Sequence, residues 1–329
     1  MPTLALASCG HGSKTGHPTP TVRVDTSGAG GVGGADQGGD GHVGPGPAGG
    51  APPTAPQRPC NGWPDLCARA YDRVSYPVAH AAMANSASFW TYPAQDKNLR
   101  TQLDDSIRGL MLEVHDKRGV PTLCFGDCTE GQGPLVPELT RVAAFLEDNP
   151  REVVTLFIDN RVPAAEVAKA FDDAELTPHL YQGAPSQPWP TLGELIDQEQ
   201  RLVVFLADAA DAPAGYLSLP DNVRATSDSA EAPKDLDCST VTGSADAPLV
   251  LLMQTLAAPL PDGAGGAPAA STGRPSAELA TTVNHDPFFS ERVALCSQVF
   301  GRAPTFVAVD FYEQSDVVGV TQRASGLLP

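Results

Sequence analysis

The stretch SIRGLMLEVHD (106–116) is apolar from Leu110 to Leu112 and closes on two titratable side chains, Glu113 and His115, set two residues apart. Side chains alternate along a strand, so Glu113 and His115 share one face while Leu112 and Val114 share the other, turned toward covering helices. The same texture recurs in RVSYPVAH (73–80), REVVTLFIDNR (151–161), RLVVFLAD (201–208), PLVLLMQ (248–254) and PTFVAVDFYE (304–313). Continuous rather than alternating apolar runs predict strands buried on both faces, as parallel strands under helices are. Between the runs, LVPELTRVAAFLEDNP sets Leu139, Val142, Ala143, Phe145 and Leu146 at helical spacing and stops at Asn149-Pro150. PAAEVAKAFDDAEL reads as the next helix, and WPTLGELIDQE (189–199) as a third, with Thr191 as N-cap and Glu194 three residues on. This alternation predicts an α/β fold, a distorted TIM-type (β/α) barrel first and a doubly wound sheet second.

The barrel is expected over residues 59–329. Residues 10–58 are mostly Gly, Pro, Ala and Thr without apolar periodicity, which predicts a disordered Gly/Pro-rich tether. In that tether Lys14, Arg23 and Arg58 balance Asp25, Asp36 and Asp40, so the formal charge of -18 belongs to the folded part. Such a surface repels phosphate backbones, and nucleic acid is not an expected partner. No apolar run is long enough to cross a bilayer. The protein is expected to be a monomer.

Of seven cysteines, six divide into Cys60-Cys67, Cys124-Cys128 and Cys238-Cys296, two of these pairs closing short loops. Disulfides are expected because local pairs after a secretory-looking start fit an oxidising compartment, with free structural cysteines as the alternative. No Cys-x-x-Cys pair occurs and the histidines are not spaced around the cysteines, so a zinc site is not expected. The seventh, Cys9, ends Leu6-Ala7-Ser8-Cys9, which resembles a bacterial lipobox, so residues 1–9 read as a signal remnant and Cys9 as a lipidation site. Together these features predict an extracytoplasmic protein: a bacterial cell-surface or periplasmic lipoprotein, or a secreted one. Membrane contact is expected through the lipid anchor at most.

In a barrel, chemistry sits at the carboxyl ends of the strands. The runs end in His80, in Glu113 and His115, in Asp159, and in Asp310 with Tyr312. His80 is a candidate general base or else a structural hydrogen-bonder. Glu113 and His115 form either an acid/base or metal-and-phosphate pair, or a plain ion pair. Buried carboxylates need a cation or several donors, so Asp159 and Asp310 either join Glu113 on a metal or orient His80. Asp159 has the further option of capping the next helix.

Six segments, CNGWPDLCARAYDRVSYPVAHAAMAN, QLDDSIRGLMLEVHD, LCFGDC, FLEDNPREVVTLFIDN, WPTLGELI with RLVVF, and GRAPTFVAVDFYEQSDVVGV, resemble in order the phosphatidylinositol-specific phospholipase C X-domain superfamily, secreted bacterial and fungal type. The resemblance covers nearly the whole chain from Cys60 onward. It implies that one histidine deprotonates the inositol 2-hydroxyl for in-line attack on phosphorus. A second protonates the departing diacylglycerol oxygen, while Ca²⁺ on carboxylates and an asparagine, or else an arginine, meets the phosphate charge.

The family motif Thr-His-Asn-Ala-Met-Ala appears as Ala79-His80-Ala81-Ala82-Met83-Ala84, which keeps the base and loses the asparagine. Leu-Asp-Val appears as Leu112-Glu113-Val114, and Leu-Cys-His-Gly as Leu123-Cys124-Phe125-Gly126, which loses the second histidine. The resemblance casts His80 as the catalytic base and Asp310 as its holder; His115 is expected as a further catalytic residue standing in as acid or phosphate ligand, with Arg108 and Tyr312 as further phosphate-binding candidates. The resemblance casts Glu113 and Asp159 as metal ligands, with Ca²⁺ an option rather than a requirement. His115 stands where arginine-type relatives place their cation. The expected function is that of a phosphoric diester hydrolase or phosphorus-oxygen lyase acting on an inositol phospholipid or related phosphodiester, impaired by Phe125. The alternative is a catalytically inactive surface lipoprotein that binds a polyol phosphate or lipid headgroup. Glycerophosphodiester hydrolysis on a related barrel is less favoured, because Met111 precedes Leu112-Glu113 where a Glu-x-Asp pattern is expected.

Overall fold

The computed structural model describes residues 58–125, 128–183, 188–258 and 274–329. Cys9 and the tether lie outside these residues, apart from Arg58, and so does most of the loop at 261–276.

Eight strands carry the domain: β1 (Tyr76–Ala79), β2 (Gly109–Asp116), β3 (Val154–Asn160), β4 (Leu202–Leu206), β5 (Tyr216–Ser218), β6 (Val223–Thr226), β7 (Leu249–Gln254) and β8 (Phe306–Val309). They pair in parallel in the order β5-β4-β3-β2-β1-β8-β7-β6, so chain order runs around a curled sheet. Among the described residues the ladder is open between β5 and β6. Their link is a single helical turn, Leu219–Asn222. A parallel neighbour needs a crossover of about a dozen residues, which this link cannot supply. The opening is what makes the barrel a distorted one. β5 and β6 are too short to show as runs in the sequence, and they were not anticipated.

The alternation along each strand sorts two cores. Leu110, Leu112, Val114, Leu156, Ile158, Val204 and Leu206 pack outward against the helix Leu135–Asp148 and its neighbours. Tyr76, Val78, Phe157, Phe205, Met253, Phe306 and Ala308 fill the interior. The Phe157 ring lies 4.9 Å from Phe306 and 5.5 Å from Phe205, so the lower barrel is solid. Tyr71 and Trp189, 4.7 Å apart, belong to the same interior cluster. Gly109 pairs with Val78, and a Cβ at Gly109 would lie 2.5 Å from the Val78 side chain. Only glycine lets β2 approach β1 this closely.

The helix Leu192–Asp197 begins with the anticipated capping box, Thr191 and Glu194 each bonding the other's backbone. All three anticipated disulfides are present. After β2 the chain turns back in Pro121–Cys124, antiparallel to β2 with His115 opposite Thr122, and this strand pairs in turn with Gln132–Pro134.

Candidate active site

Continuing the inward parity of each strand past its apolar layers brings His80, Glu113, His115, Asp159 and Asp310 to the carboxyl end of the barrel. Ala79 and Val309 are partners across β1 and β8, so the next residue of each strand, His80 and Asp310, stand side by side. His80 Nδ1 lies 2.8 Å from Asp310 Oδ1. An ionised carboxylate only accepts, so Nδ1 carries the hydrogen and Nε2 is left as a base. Asp310 is 3 % exposed, which makes this a pairing that needs its partner. Burial pulls the His80 pKa down, but the charge and hydrogen bond of Asp310, then Asp228 and Glu113 through space, carry it above the ordinary histidine value.

Two buried amides fix the strand ends. Gln95 Nε2 donates to the carbonyls of His80 (2.7 Å) and Val309 (3.0 Å), and its Oε1 accepts from the Tyr312 amide. Asn284 Nδ2 donates to the Asp310 carbonyl at 2.7 Å. Neither amide was singled out from sequence, since each lies in a loop far from the strand it serves. The pocket over His80 has Asp228, Thr255 and Asp310 as further polar lining and Phe125, Leu256, Ala257 and Pro275 as apolar walls. Thr255 Oγ1 is buried without a hydrogen-bond partner. Asp228 lies two residues beyond β6 and Thr255 one beyond β7, so the strand-end rule applied to those strands would have reached both. The Pro275 wall is tethered by Arg274, which donates to Glu130 Oε1 at 2.7 Å and stacks 3.7 Å over Tyr92.

Phe125 sits against the base, its ring edge-on to His80 at 6.3 Å. Phe125 therefore does reach the mouth, and it presents an apolar edge there. Ala81, at the motif's asparagine position, is buried with φ 42°. That left-handed backbone is one asparagine tolerates better than alanine.

Glu113 and His115 bond to each other, Oε1 to Nε2 at 2.6 Å. Asp159 is the register partner of Glu113 on β3, but its Oδ2 accepts from Arg161 Nη2 at 2.7 Å. Ca²⁺ takes roughly six to eight oxygen ligands. Here two carboxylates stand together, one held by a histidine and the other by an arginine, and the asparagine position is Ala81. Among the described residues no group of three carboxylates gathers at the mouth. The donor set does not fit Ca²⁺.

Two expected phosphate ligands are corrected by the fold. Arg108 precedes Gly109 and so lies at the amino end of β2, opposite the mouth. Its guanidinium bonds Glu152 at 2.7 Å and the carbonyls of Leu103 and Ile107. Tyr312 faces the helix side of the sheet, its hydroxyl donating to Asp105 Oδ2 at 2.7 Å and its pKa raised by burial. The turn at Phe311, with φ 51°, reverses the inward parity that Asp310 would have passed on.

With this geometry in hand, residues 66–219 match the family model of the PI-PLC X domain. A PI-PLC X domain-containing protein 1 of Arthroderma benhamiae is 30 % identical over 300 residues, covering 84 % of this chain and 92 % of that protein. An uncharacterized secreted protein of the same fungus is 34 % identical over 160 residues, 45 % of this chain, and the chain spans only about a third (35 %) of its length. Among solved structures, a mutant of the phosphatidylinositol-specific phospholipase C of Staphylococcus aureus superposes with a TM-score of 0.54 at 13 % identity, over 78 % of this chain and 94 % of the other. At that identity the superposition speaks for the fold alone. Fold, family match and full-length relative agree: the chain belongs to the PI-PLC X-domain superfamily.

Proposed function

We propose that the protein is a phosphodiesterase of the phosphatidylinositol-specific phospholipase C kind, acting on an inositol phospholipid or a closely related phosphodiester. The observation that carries this reading is the His80–Asp310 pair at 2.8 Å, with His80 opening into the pocket. His80 Nε2 takes the proton of a substrate hydroxyl as that oxygen attacks phosphorus, and Asp310 stabilises the imidazolium that forms. The leaving oxygen needs a proton that Phe125 cannot supply. His115, held by Glu113, is the remaining imidazole on the inward faces and takes the role of acid or phosphate ligand. Loss of a positioned acid typically costs about 10² to 10⁴ in rate, so turnover is slow.

A second reading, a binding protein without turnover, is favoured by one observation, the Phe125 ring packed edge-on to His80. Phosphatidylinositol cleavage by wild type, His80→Ala and Phe125→His, each with and without chelator, separates the two. Chelator-resistant wild-type turnover that His80→Ala abolishes supports the enzyme. Headgroup binding with no turnover, and gain of turnover in Phe125→His, supports the binder. A secreted relative and three disulfides support an extracellular location. Anchoring through Cys9 belongs to the proposal and is read by fatty-acid labelling of wild type against Cys9→Ser.

A further inference from the structure

His115, Cys124 and Cys128 come together at the mouth, their ligand atoms all within 4.8 Å of one another. Spacing in the chain did not reveal this trio, because strand pairing assembles it. His115 stands opposite Thr122 and Val114 opposite Leu123, which fixes Cys124 beside the imidazole. Cys128 is brought back by a turn in which its amide donates to the Phe125 carbonyl at 3.3 Å. Two backbone features therefore hold the sulfurs near His115, and the disulfide is not the only thing that does. Glu113 holds His115 Nε2 at 2.6 Å, so the ring ligates through its other nitrogen, Nδ1. A histidine that ligates through one nitrogen while a carboxylate holds the other is the arrangement that orients and strengthens zinc-ligating imidazoles.

We propose that opening the Cys124–Cys128 bridge converts this corner into a zinc site with His115 Nδ1, Cys124 Sγ and Cys128 Sγ as ligands and a water in the fourth position. In the bridged form the sulfurs are neutral and bonded to each other, and they do not ligate. Reduction by a phosphine breaks the S–S bond, oxidises the phosphine with an oxygen from water, and leaves two thiols. Zinc displaces their two protons and binds two thiolates. Once the bond is broken, the sulfurs can separate to the roughly 3.8 Å that tetrahedral zinc with Zn–S near 2.3 Å requires. Two thiolates and an imidazole select zinc over Ca²⁺ or Mg²⁺. The inference concerns binding alone and stands whether or not the protein turns over substrate.

The test is anaerobic titration of the full chain with Co²⁺ and then Zn²⁺, before and after phosphine reduction and desalting. The reduced protein should bind one equivalent with thiolate-to-cobalt charge transfer and tetrahedral d–d bands, displaced by zinc. The oxidised protein should show neither. Cys128→Ser should abolish the bands, and Glu113→Gln should weaken zinc about 10- to 100-fold. Bands that survive Cys128→Ser or His115→Ala would overturn the assignment, because another pair of reduced cysteines would then be the ligands. Since reduction also opens Cys60–Cys67 and Cys238–Cys296, a second variant avoids it. Cys9→Ser with Cys124→His leaves both those bridges intact and presents two imidazoles and one thiolate without reductant. Binding of one cobalt by that folded variant supports the site, and no binding overturns it.

Discussion

Two histidine–carboxylate pairs stand at the mouth, and they are built differently. His80 and Asp310 are 230 residues apart in the chain and meet because β1 and β8 are neighbours. Glu113 and His115 are two residues apart on one strand and meet by strand periodicity alone. The Asp310 side chain is 4 % exposed, against 16 % for Glu113, and the backbones beside the first pair are clamped by Gln95 and Asn284. A buried long-range pair fixes one tautomer and shifts a pKa. A partly exposed local pair has its partner wherever the strand goes, whatever the rest of the barrel does.

The sharpest way to break this contrast is Asp310→Asn. The amide removes the charge that does most to raise the His80 pKa, while burial, which lowers it, stays. Base catalysis needs neutral His80, so activity rises with pH through the folded-state pKa, and in wild type this limb lies above the ordinary histidine value of about 6.5. In Asp310→Asn the limb should move to lower pH and the plateau should fall by about 10² or more, since the Nδ1 tautomer is no longer enforced. The stability sign agrees. A raised histidine pKa stabilises the fold fully below the unfolded value, and that stabilisation is lost as pH rises through the folded one. Thermal unfolding of wild type should therefore lose this increment above the limb, and Asp310→Asn should show no such loss. An unmoved limb in kcat/KM would mean that His80 is not the base.

Next in size is Gln95→Leu. Gln95 bonds three backbone groups at the ends of β1 and β8, and the leucine would leave two carbonyls and one amide without it. Unpaired buried groups cost about 1–3 kcal/mol each, moderated because both carbonyls already accept from ladder amides or have a second lone pair. We expect a loss of about 3 kcal/mol in urea unfolding and a fall in kcat larger than any rise in KM. Equal kcat in Gln95→Leu and wild type would show that the His80 backbone is held by the sheet alone.

These long-range clamps mark where the sequence was legible and where it was not. Runs such as VVTLFID and LVVFLAD carry their own burial signal, and the titratable residue after each run marks a barrel mouth. That is why the strand-end rule picks out His80, Glu113, His115, Asp159 and Asp310, which the fold brings to one end of the sheet. Tyr312 failed because one left-handed residue, Phe311, breaks the period-two rule just past the strand end. Arg108 failed because it lies at the other end of its strand, where a basic residue pairs with Glu152 and caps carbonyls. Gln95 and Asn284 carry no local pattern, since their bonds exist only once the strands are assembled, whereas Thr255 stands one residue past its strand and was within reach of the strand-end rule. The metal corner at His115 is another product of assembly, absent from any spacing of cysteine and histidine along the chain.

The smallest effect separates backbone from chemistry at Ala81. Its φ of 42° disfavours alanine by about 1–2 kcal/mol relative to the right-handed region. Glycine relieves this strain but loses about 0.5–1 kcal/mol to its freer unfolded chain, so Ala81→Gly should gain roughly 0.5 kcal/mol, a rise of one or two degrees in Tm. Asparagine tolerates the same φ without that loss, yet Ala81 is only 3 % exposed, and a buried amide needs partners. If the mouth supplies them, Ala81→Asn should match or exceed Ala81→Gly in Tm and raise turnover above wild type. If it does not, the amide is stranded and Ala81→Asn should fall below wild type by about 1–3 kcal/mol while Ala81→Gly still gains. The first outcome would mean that the site still holds the contacts of an asparagine. The second would mean that the surroundings have repacked around a methyl group, so that restoring the motif residue by residue cannot restore its chemistry.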